Sequence, residues 1–158
     1  MPGRVYIETS VPSAYAGMRT DPGSLYRRES ARTWWAQQRP VYEAWSSDVT
    51  LAELREGQWV GQDRALALVA DLPRLGVTDE VVAVARRYVR ERVVPADLGG
   101  DAMHLALATV HEMDFLLTWN IRHLANPNKL QHLTVINRRL ALPTPQIVTP
   151  EMLWMEDF

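Results

Sequence analysis

The chain of 158 residues has the length of one domain, and we expect a single domain over residues 1–158. Hydrophobic residues make up 47% and charged residues 23%, and no apolar run approaches the roughly 20 residues that a membrane-spanning helix needs. The net charge of −2 argues against a strong, indiscriminate nucleic-acid binder, so any nucleic-acid contact must be local. The first residues lack the pattern of a secretory signal and there is no cysteine, so we expect a cytoplasmic protein without membrane contact.

The stretch RVYIETSVPSAY, residues 4–15, begins as a strand and stops at a carboxylate. Val5 and Ile7 alternate with their neighbours at the period of two that is typical of a strand, and Pro12 prevents its simple continuation. Glu8 is therefore predicted at the carboxyl end of the first strand. Because ligands bind at this edge of open α/β sheets, Glu8 is a candidate functional residue.

Strands and helices alternate along the rest of the chain. In the first part, after the turn at Asp21, the patterns predict a helix closed by Pro40, a strand over 42–49, a helix from Thr50 to Gly57, and helices within 63–73 and 78–95. In the second part they predict a helix over 99–113, a buried strand over 114–120, a mostly helical stretch over 121–143 interrupted at Pro127, and a last buried strand within 146–153. This alternation predicts an α/β fold with a parallel sheet covered by helices on both faces.

Four oxygen-bearing side chains fall at predicted strand ends or near helix starts: Glu8, Glu53, Asp101 and Asn120. Mg²⁺ and Mn²⁺ prefer such oxygen ligands, whereas the cysteine and histidine spacings of zinc sites are absent. A metal held in this way can activate a water for attack on a phosphodiester. The four residues therefore predict a metal-dependent phosphodiesterase site.

A structural role is the alternative for each of these residues. Thr50 and Glu53 match a capping box, in which the glutamate accepts the backbone N–H of the cap residue. Asp101 is favourable at a helix start because of the helix dipole, and Asn120 is a common turn former after a strand. Glu8 has neither a capping position nor a charge partner beside it in the sequence, so its functional interpretation is the stronger one.

The histidine, aromatic and basic residues favour structural interpretations. His104 shares a helix with Asp101 but is interpreted as a core or surface residue and is left out of the site. The tryptophans, at helical and strand spacing, are expected to fill a core rather than to stack on bases. A basic group on or before the first long helix is interpreted as solvated surface rather than as phosphate contacts: Arg19, Arg27, Arg28 and Arg32.

Four segments together resemble the PIN-domain nucleases, specifically the VapC-like toxins of bacterial and archaeal toxin-antitoxin systems: VYIETSVPS, SSDVTLAELREG, GDAMHLALA and DFLLTWNIRHLAN. The family has an acid followed by Thr-Ser at the end of the first strand, which matches Glu8. Its acid before a leucine matches Glu53, and its acid three residues before a histidine matches Asp101. The fourth family position falls on Asn120.

The resemblance implies a three-layer α/β/α fold and Mg²⁺-dependent or Mn²⁺-dependent endoribonuclease activity. It also implies a small antitoxin that covers the active groove, and a homodimer. The chain departs from the family at two positions, since the first acid is usually an aspartate and the last position often is as well. Glu8 is one methylene longer, and Asn120 keeps an oxygen ligand but removes a charge, so a second metal would be held less firmly.

We therefore expect an endoribonuclease in which Glu8, Glu53 and Asp101 hold the metal, Asn120 supports it, and Ser10 orients a ligand, a water or the substrate phosphate. The metal-bound water is the expected nucleophile. Because of the two departures, one alternative is a catalytically weak or inactive PIN module that binds RNA or an antitoxin without cleavage. Another is a nuclease acting on DNA or a phosphatase acting on a small substrate with the same metal chemistry.

Overall fold

The structure, a computed structural model, describes residues 2–95 and 99–156. Within these residues five strands form one sheet: β1 Arg4–Ile7, β2 Glu43–Ser47, β3 Arg74–Leu75, β4 Phe115–Leu117 and β5 Gln146–Val148. The helices of the same ranges are α1 Ser10–Ala16, α2 Pro22–Gln37, α3 Asp48–Leu54, α4 Gln62–Ala70, α5 Asp79–Arg90, α6 Gly99–Val110 and α7 Pro127–Arg139, with a 3₁₀ turn at Arg39–Val41. In this described part of the chain, no helix is both long enough and apolar enough to cross a membrane.

The sheet is parallel throughout, with the strand order β3-β2-β1-β4-β5. The alternation of β1 sends Val5 and Ile7 to one face, where they pack against buried residues of α1, α2, α3 and α4. Tyr6 points to the other face, where the core is formed with α5, α6 and α7. Helices thus cover both faces, which confirms the predicted α/β fold with a central parallel sheet.

The register of the sheet brings the ends of its strands to one edge. Ile7 of β1 is paired with Leu117 of β4, and the Glu8 N–H donates to the Leu117 carbonyl at 3.0 Å. Glu8 and Thr118 therefore follow neighbouring strands at the same level. Ser47, the last residue of β2, lies on the other side of β1 at this carboxyl edge.

The start of α3 differs from the sequence prediction. The helix begins at Asp48 rather than Thr50, because Ser47 is the N-cap and its hydroxyl accepts the Thr50 N–H at 3.2 Å. Glu53 then lies in the last turn, one residue before the end of the helix at Leu54. The predicted capping box between Thr50 and Glu53 is therefore wrong, and so is the placement of Glu53 near a helix start.

Other boundaries also differ from the predicted ones. The sequence predicted no helix at α1, although Pro12 is compatible with its first turn, where the missing N–H has no intrahelical partner to lose. The strand β3 was likewise not predicted. Pro127 begins α7 instead of interrupting a helix, and β4 ends at Leu117, so Asn120 lies in the loop beyond it.

Candidate functional site

Glu8 is buried directly after β1, with 4% of its surface exposed. The Ser10 backbone N–H donates to both carboxylate oxygens, at 3.0 and 2.9 Å, and the Thr118 hydroxyl donates to Oε1 at 3.3 Å. Ser10 is the first residue of α1, whose N-cap Thr9 makes no side-chain cap bond, so Glu8 satisfies an N–H at that helix start. The interpretation that Glu8 has no capping position is therefore wrong, since its carboxylate accepts the first N–H of α1.

His104, in the middle of α6, connects β1 to α3. It is 1% exposed, and its Nδ1 lies 2.6 Å from the Tyr6 hydroxyl. Its Nε2 lies 2.6 Å from Glu53 Oε1 and 3.4 Å from the Thr9 hydroxyl. Because an ionised carboxylate can only accept, Nε2 carries its hydrogen towards Glu53, and the ring orientation is fixed from both sides. The Tyr6 hydroxyl also contacts the Ser47 hydroxyl at 2.7 Å, which extends the network to the end of β2.

Glu53, in contrast to His104, is partly exposed, with 32% of its side chain accessible. The backbone of Gly100, in the first turn of α6, closely approaches it: a Cβ at Gly100 would lie 2.9 Å from Glu53 Oε1. Any larger residue at this position would push the carboxylate aside. Gly100 therefore has a spatial role, since it leaves room for Glu53 beside Asp101.

Asp101 and Asn120 are in direct contact. The Asn120 side-chain amide donates to both carboxylate oxygens of Asp101, at 3.2 and 3.3 Å, and its Oδ1 accepts the His123 backbone N–H at 3.1 Å. The His123 N–H requires an acceptor, which fixes the orientation of the Asn120 amide. Both ends of this amide are therefore engaged, and its donor end faces Asp101.

Ser10 joins the ends of β1 and β4. Its hydroxyl accepts the Trp119 backbone N–H at 2.8 Å and lies 3.3 Å from the Thr118 hydroxyl. The Thr118 hydroxyl in turn accepts the Asn120 N–H at 2.9 Å. These contacts link the Glu8 side of the site to the Asn120 side.

The electrostatics of the site centre on His104. Burial raises the pKa of Glu8 and of Asp101, and the nearby His104 partly opposes both shifts. Burial alone lowers the pKa of His104, but the hydrogen bond to Glu53 and the charges of Glu8, Glu53 and Asp101 outweigh it, so the pKa lies above its usual value. The charges of all three carboxylates therefore act on one buried imidazole, which is hydrogen-bonded to one of them, Glu53.

The oxygen-rich character of the cluster suits a divalent cation of the Mg²⁺ or Mn²⁺ type. Over residues 2–95 and 99–156, no lysine or arginine forms an ion pair with Glu8, Glu53 or Asp101. His104 pairs with Glu53, and His123, like His104, partly opposes the rise in the pKa of Asp101. As the side chains stand, no three His, Asp or Glu residues in these ranges are grouped closely enough to hold a metal ion. The carboxylate oxygens are ligands of the type that Mg²⁺ and Mn²⁺ prefer. In this structure, however, Glu53 is bonded to His104, and the carboxylates do not converge on a shared metal position.

Sequence reasoning placed all four oxygen-bearing residues at this edge but missed His104, which links three of the elements. Its spacing from Asp101 was a usable signal, because residues three apart in a helix lie on the same face. The partners Tyr6 and Glu53 are distant in sequence, so no local pattern indicated that the imidazole would be held by them.

Comparisons with known protein-family models and with curated proteins give no match for this chain. The fold and the site nevertheless define a class: a parallel α/β protein with acidic side chains near a buried histidine at the carboxyl edge of its sheet. This is the edge at which such proteins bind their ligands.

Proposed function

We propose that the chain is a metal-dependent endoribonuclease of the PIN-domain type and the toxin of a toxin-antitoxin pair. The observation that carries the proposal is that Glu8, Glu53 and Asp101, from separate parts of the fold, lie near one buried imidazole at the ligand-binding edge. Glu53 contacts this imidazole, that of His104, at 2.6 Å. The four sequence segments that resemble VapC-like toxins contribute these same residues.

In this proposal Glu8, Glu53 and Asp101 hold Mg²⁺ or Mn²⁺. When bound, such an ion lowers the pKa of a water for attack on a phosphodiester and stabilises the charge that develops on the phosphate. Glu53 would hold the cation through the carboxylate oxygen that is not bonded to His104, since only Oε1 contacts Nε2 and the side chain is partly exposed. Asn120 positions the Asp101 carboxylate through its amide hydrogens rather than by ligating the metal.

The remaining features follow from the resemblance. The substrate is RNA, a small antitoxin covers the groove beside the site, and the protein acts in the cytoplasm as a homodimer. Ser10, which links the two sides of the site, is available at the groove to orient a water or the substrate phosphate.

Cleavage of a labelled RNA pool with EDTA, Mg²⁺ or Mn²⁺ tests the proposal. We expect cleavage only with metal, its loss in Asp101→Asn, and its retention in Asp63→Asn, an exposed aspartate on α4 that serves as the matched control. A folded protein that cuts no RNA with either metal would reject the nuclease. Cleavage of single-stranded DNA or of p-nitrophenyl phosphate in place of RNA would support the alternative substrates.

A second candidate is a PIN-type module that binds RNA or an antitoxin without cutting. It is favoured by the 2.6 Å contact between Glu53 and His104, which occupies the carboxylate, and by the separation of the acids within the described ranges. RNA binding that is equal in EDTA and Mn²⁺, with no products, would support this module. Metal-dependent products would reject it.

A further inference from the structure

A groove of about 890 Å³ lies at the same edge of the sheet, beside the acidic cluster. Its walls come from α1, the start of α2, the loop after α3 and the segments that follow β4 and β5. Ser10 and Asn120 belong both to this groove and to the candidate site, so the two are continuous. A chain molecule bound at the carboxylates would therefore extend into the groove.

The groove has an aromatic wall. The Tyr26 ring, 53% exposed, meets Trp119 edge to face with 6.3 Å between the ring centres. The Tyr26 hydroxyl donates to Glu151, which lines the same groove. Met18, Val60 and Ile121, all exposed apolar side chains, line the same space. A concave site lined by apolar and aromatic groups is typical of small-molecule and base-binding pockets.

Two polar groups at this wall have no hydrogen-bond partner among the residues that the structure describes. The Thr149 side chain is 3% exposed, and its hydroxyl makes no hydrogen bond within the described residues, nor does the buried indole N–H of Trp119. Buried donors are nearly always satisfied, so each such group needs an explanation. Both residues line the groove, and the acceptor atoms at the edge of a bound ring would satisfy them after a small local adjustment.

One arginine at the groove is available for an anion. Arg28 donates to the Gly17 and Arg19 carbonyls, and Arg19 is paired with Asp21 at 3.4 Å. Arg27 makes only a 3.5 Å contact with the Ser24 hydroxyl and no ion pair among the residues described. The groove thus combines a stacking surface, unsatisfied donors and a cation, which is the combination that binds single-stranded nucleic acid.

We propose that this groove is a nucleobase subsite, in which an unpaired base next to the scissile phosphate stacks on the Tyr26 ring beside Trp119. The Trp119 N–H and the Thr149 hydroxyl meet acceptors on the edge of the base, and Arg27 contacts an adjacent phosphate. The inference rests on the proposed nuclease function. The subsite accepts a base of single-stranded RNA, because a base within a duplex is not free to enter the groove.

Binding in EDTA tests the subsite without cleavage. The probes are a fluorescent six-nucleotide RNA of mixed sequence and the same backbone with abasic residues, titrated by anisotropy. We expect Tyr26→Ala to weaken binding of the normal RNA about tenfold, or about 1.4 kcal/mol, and the abasic probe to bind the unaltered protein similarly weakly. The matched control is Trp154→Ala, which removes a 41% exposed aromatic outside the groove lining and should change nothing.

Three outcomes would overturn the subsite. These are equal binding of the normal and abasic probes, equal effects of Tyr26→Ala and Trp154→Ala, and a change of molecular mass in Tyr26→Ala by light scattering. The last result would make the groove an interface between two copies of the chain. Thermal melting of each variant, checked beforehand, shows whether it is folded, and Tyr26→Phe, which retains the ring, should retain binding.

The same probes with Mn²⁺ separate the subsite from the nuclease. Base-dependent binding without cleavage would reject the nuclease and keep the subsite. Equal cleavage of normal and abasic RNA would keep the nuclease and reject the subsite.

Discussion

Replacing Tyr6 by phenylalanine removes one hydroxyl from the centre of the site. This hydroxyl contacts His104 Nδ1 at 2.6 Å, the Ser47 hydroxyl at 2.7 Å and the Thr50 hydroxyl at 3.3 Å. Ser47 keeps the Thr50 N–H, but the buried Nδ1 loses the partner seen in the structure. An unsatisfied buried group costs about 1–3 kcal/mol, so we expect a loss near 2 kcal/mol and a Tm lower by about 4–8 °C for a domain of this size.

The substitution also loosens the hold of His104 on Glu53. If one hydrogen bond of about 1.4 kcal/mol positions the carboxylate, metal-dependent cleavage should fall about tenfold. Urea unfolding with an unchanged m-value measures the free energy of unfolding, and the initial rate on labelled RNA measures cleavage.

Tyr88→Phe is the matched control for this experiment. Tyr88 is also fully buried, and its hydroxyl bonds Asn137 between α5 and α7, away from the carboxylates. We expect it to lose comparable stability and to keep its cleavage rate. The reasoning is refuted if Tyr6→Phe loses less than about 0.5 kcal/mol, or if the two variants cleave equally fast as folded proteins.

Three further predictions address the carboxylates. Glu53 takes part in no capping box with Thr50, so its proposed role as a metal ligand is the one to test. Glu53→Ala should abolish both cleavage and the rise in Tm that millimolar Mn²⁺ gives. A variant that still cleaves would show that Glu53 is not a ligand. Glu8→Asp should lower the cleavage rate by up to about a hundredfold, because a shift on the order of 1 Å misplaces the carboxylate. Glu8→Gln should bind Mn²⁺ more weakly, as measured by calorimetry. Equal cleavage rates and equal Mn²⁺ affinities in the two variants and the unaltered protein would exclude Glu8 as a ligand. Burial raises the pKa of Glu8 in the folded protein above its ordinary value of 4.5. Relative to Glu8→Gln, the stability that Glu8 contributes without metal is therefore complete below pH 4.5 and is lost as the pH rises through the folded-state pKa. Urea unfolding of both proteins from pH 4 to 8 should show this decline, and a difference that grows with pH would contradict it.

The order of most strands and helices could be predicted because the spacing of apolar residues that distinguishes a strand from a helix lies within each short segment. The alternation in β1 and the apolar run of β4 were sufficient to place Glu8 and Asn120 near one edge. The α1 helix was not predictable in this way, since its start is satisfied by the Glu8 carboxylate rather than by its N-cap Thr9. The two residues of β3 are too few to show a period.

The start of α3 shows why hydroxyl patterns are ambiguous. Ser47 and Thr50 are both good N-cap residues, and the local sequence favoured Thr50 because of Glu53. The choice is made by the strand, since β2 runs to Ser47 and leaves that residue in the extended conformation that an N-cap requires. Long-range contacts also decide the role of His104, whose partners come from β1 and α3.

Because β1 lies at the centre of the sheet, the site cannot be complete until strands from both halves of the chain have been synthesised. Residues 2–75 supply β1, β2 and β3 with Glu8 and Glu53, but Asp101, Asn120 and the strand that pairs with the other side of β1 emerge from the ribosome much later. Contacts of such long sequence separation form late in folding, after their loop has been closed. If the chain is the proposed ribonuclease, it cannot cleave RNA until Asp101 and Asn120 have emerged from the ribosome and β4 has paired with β1, so the messenger that encodes it is spared during most of its own translation.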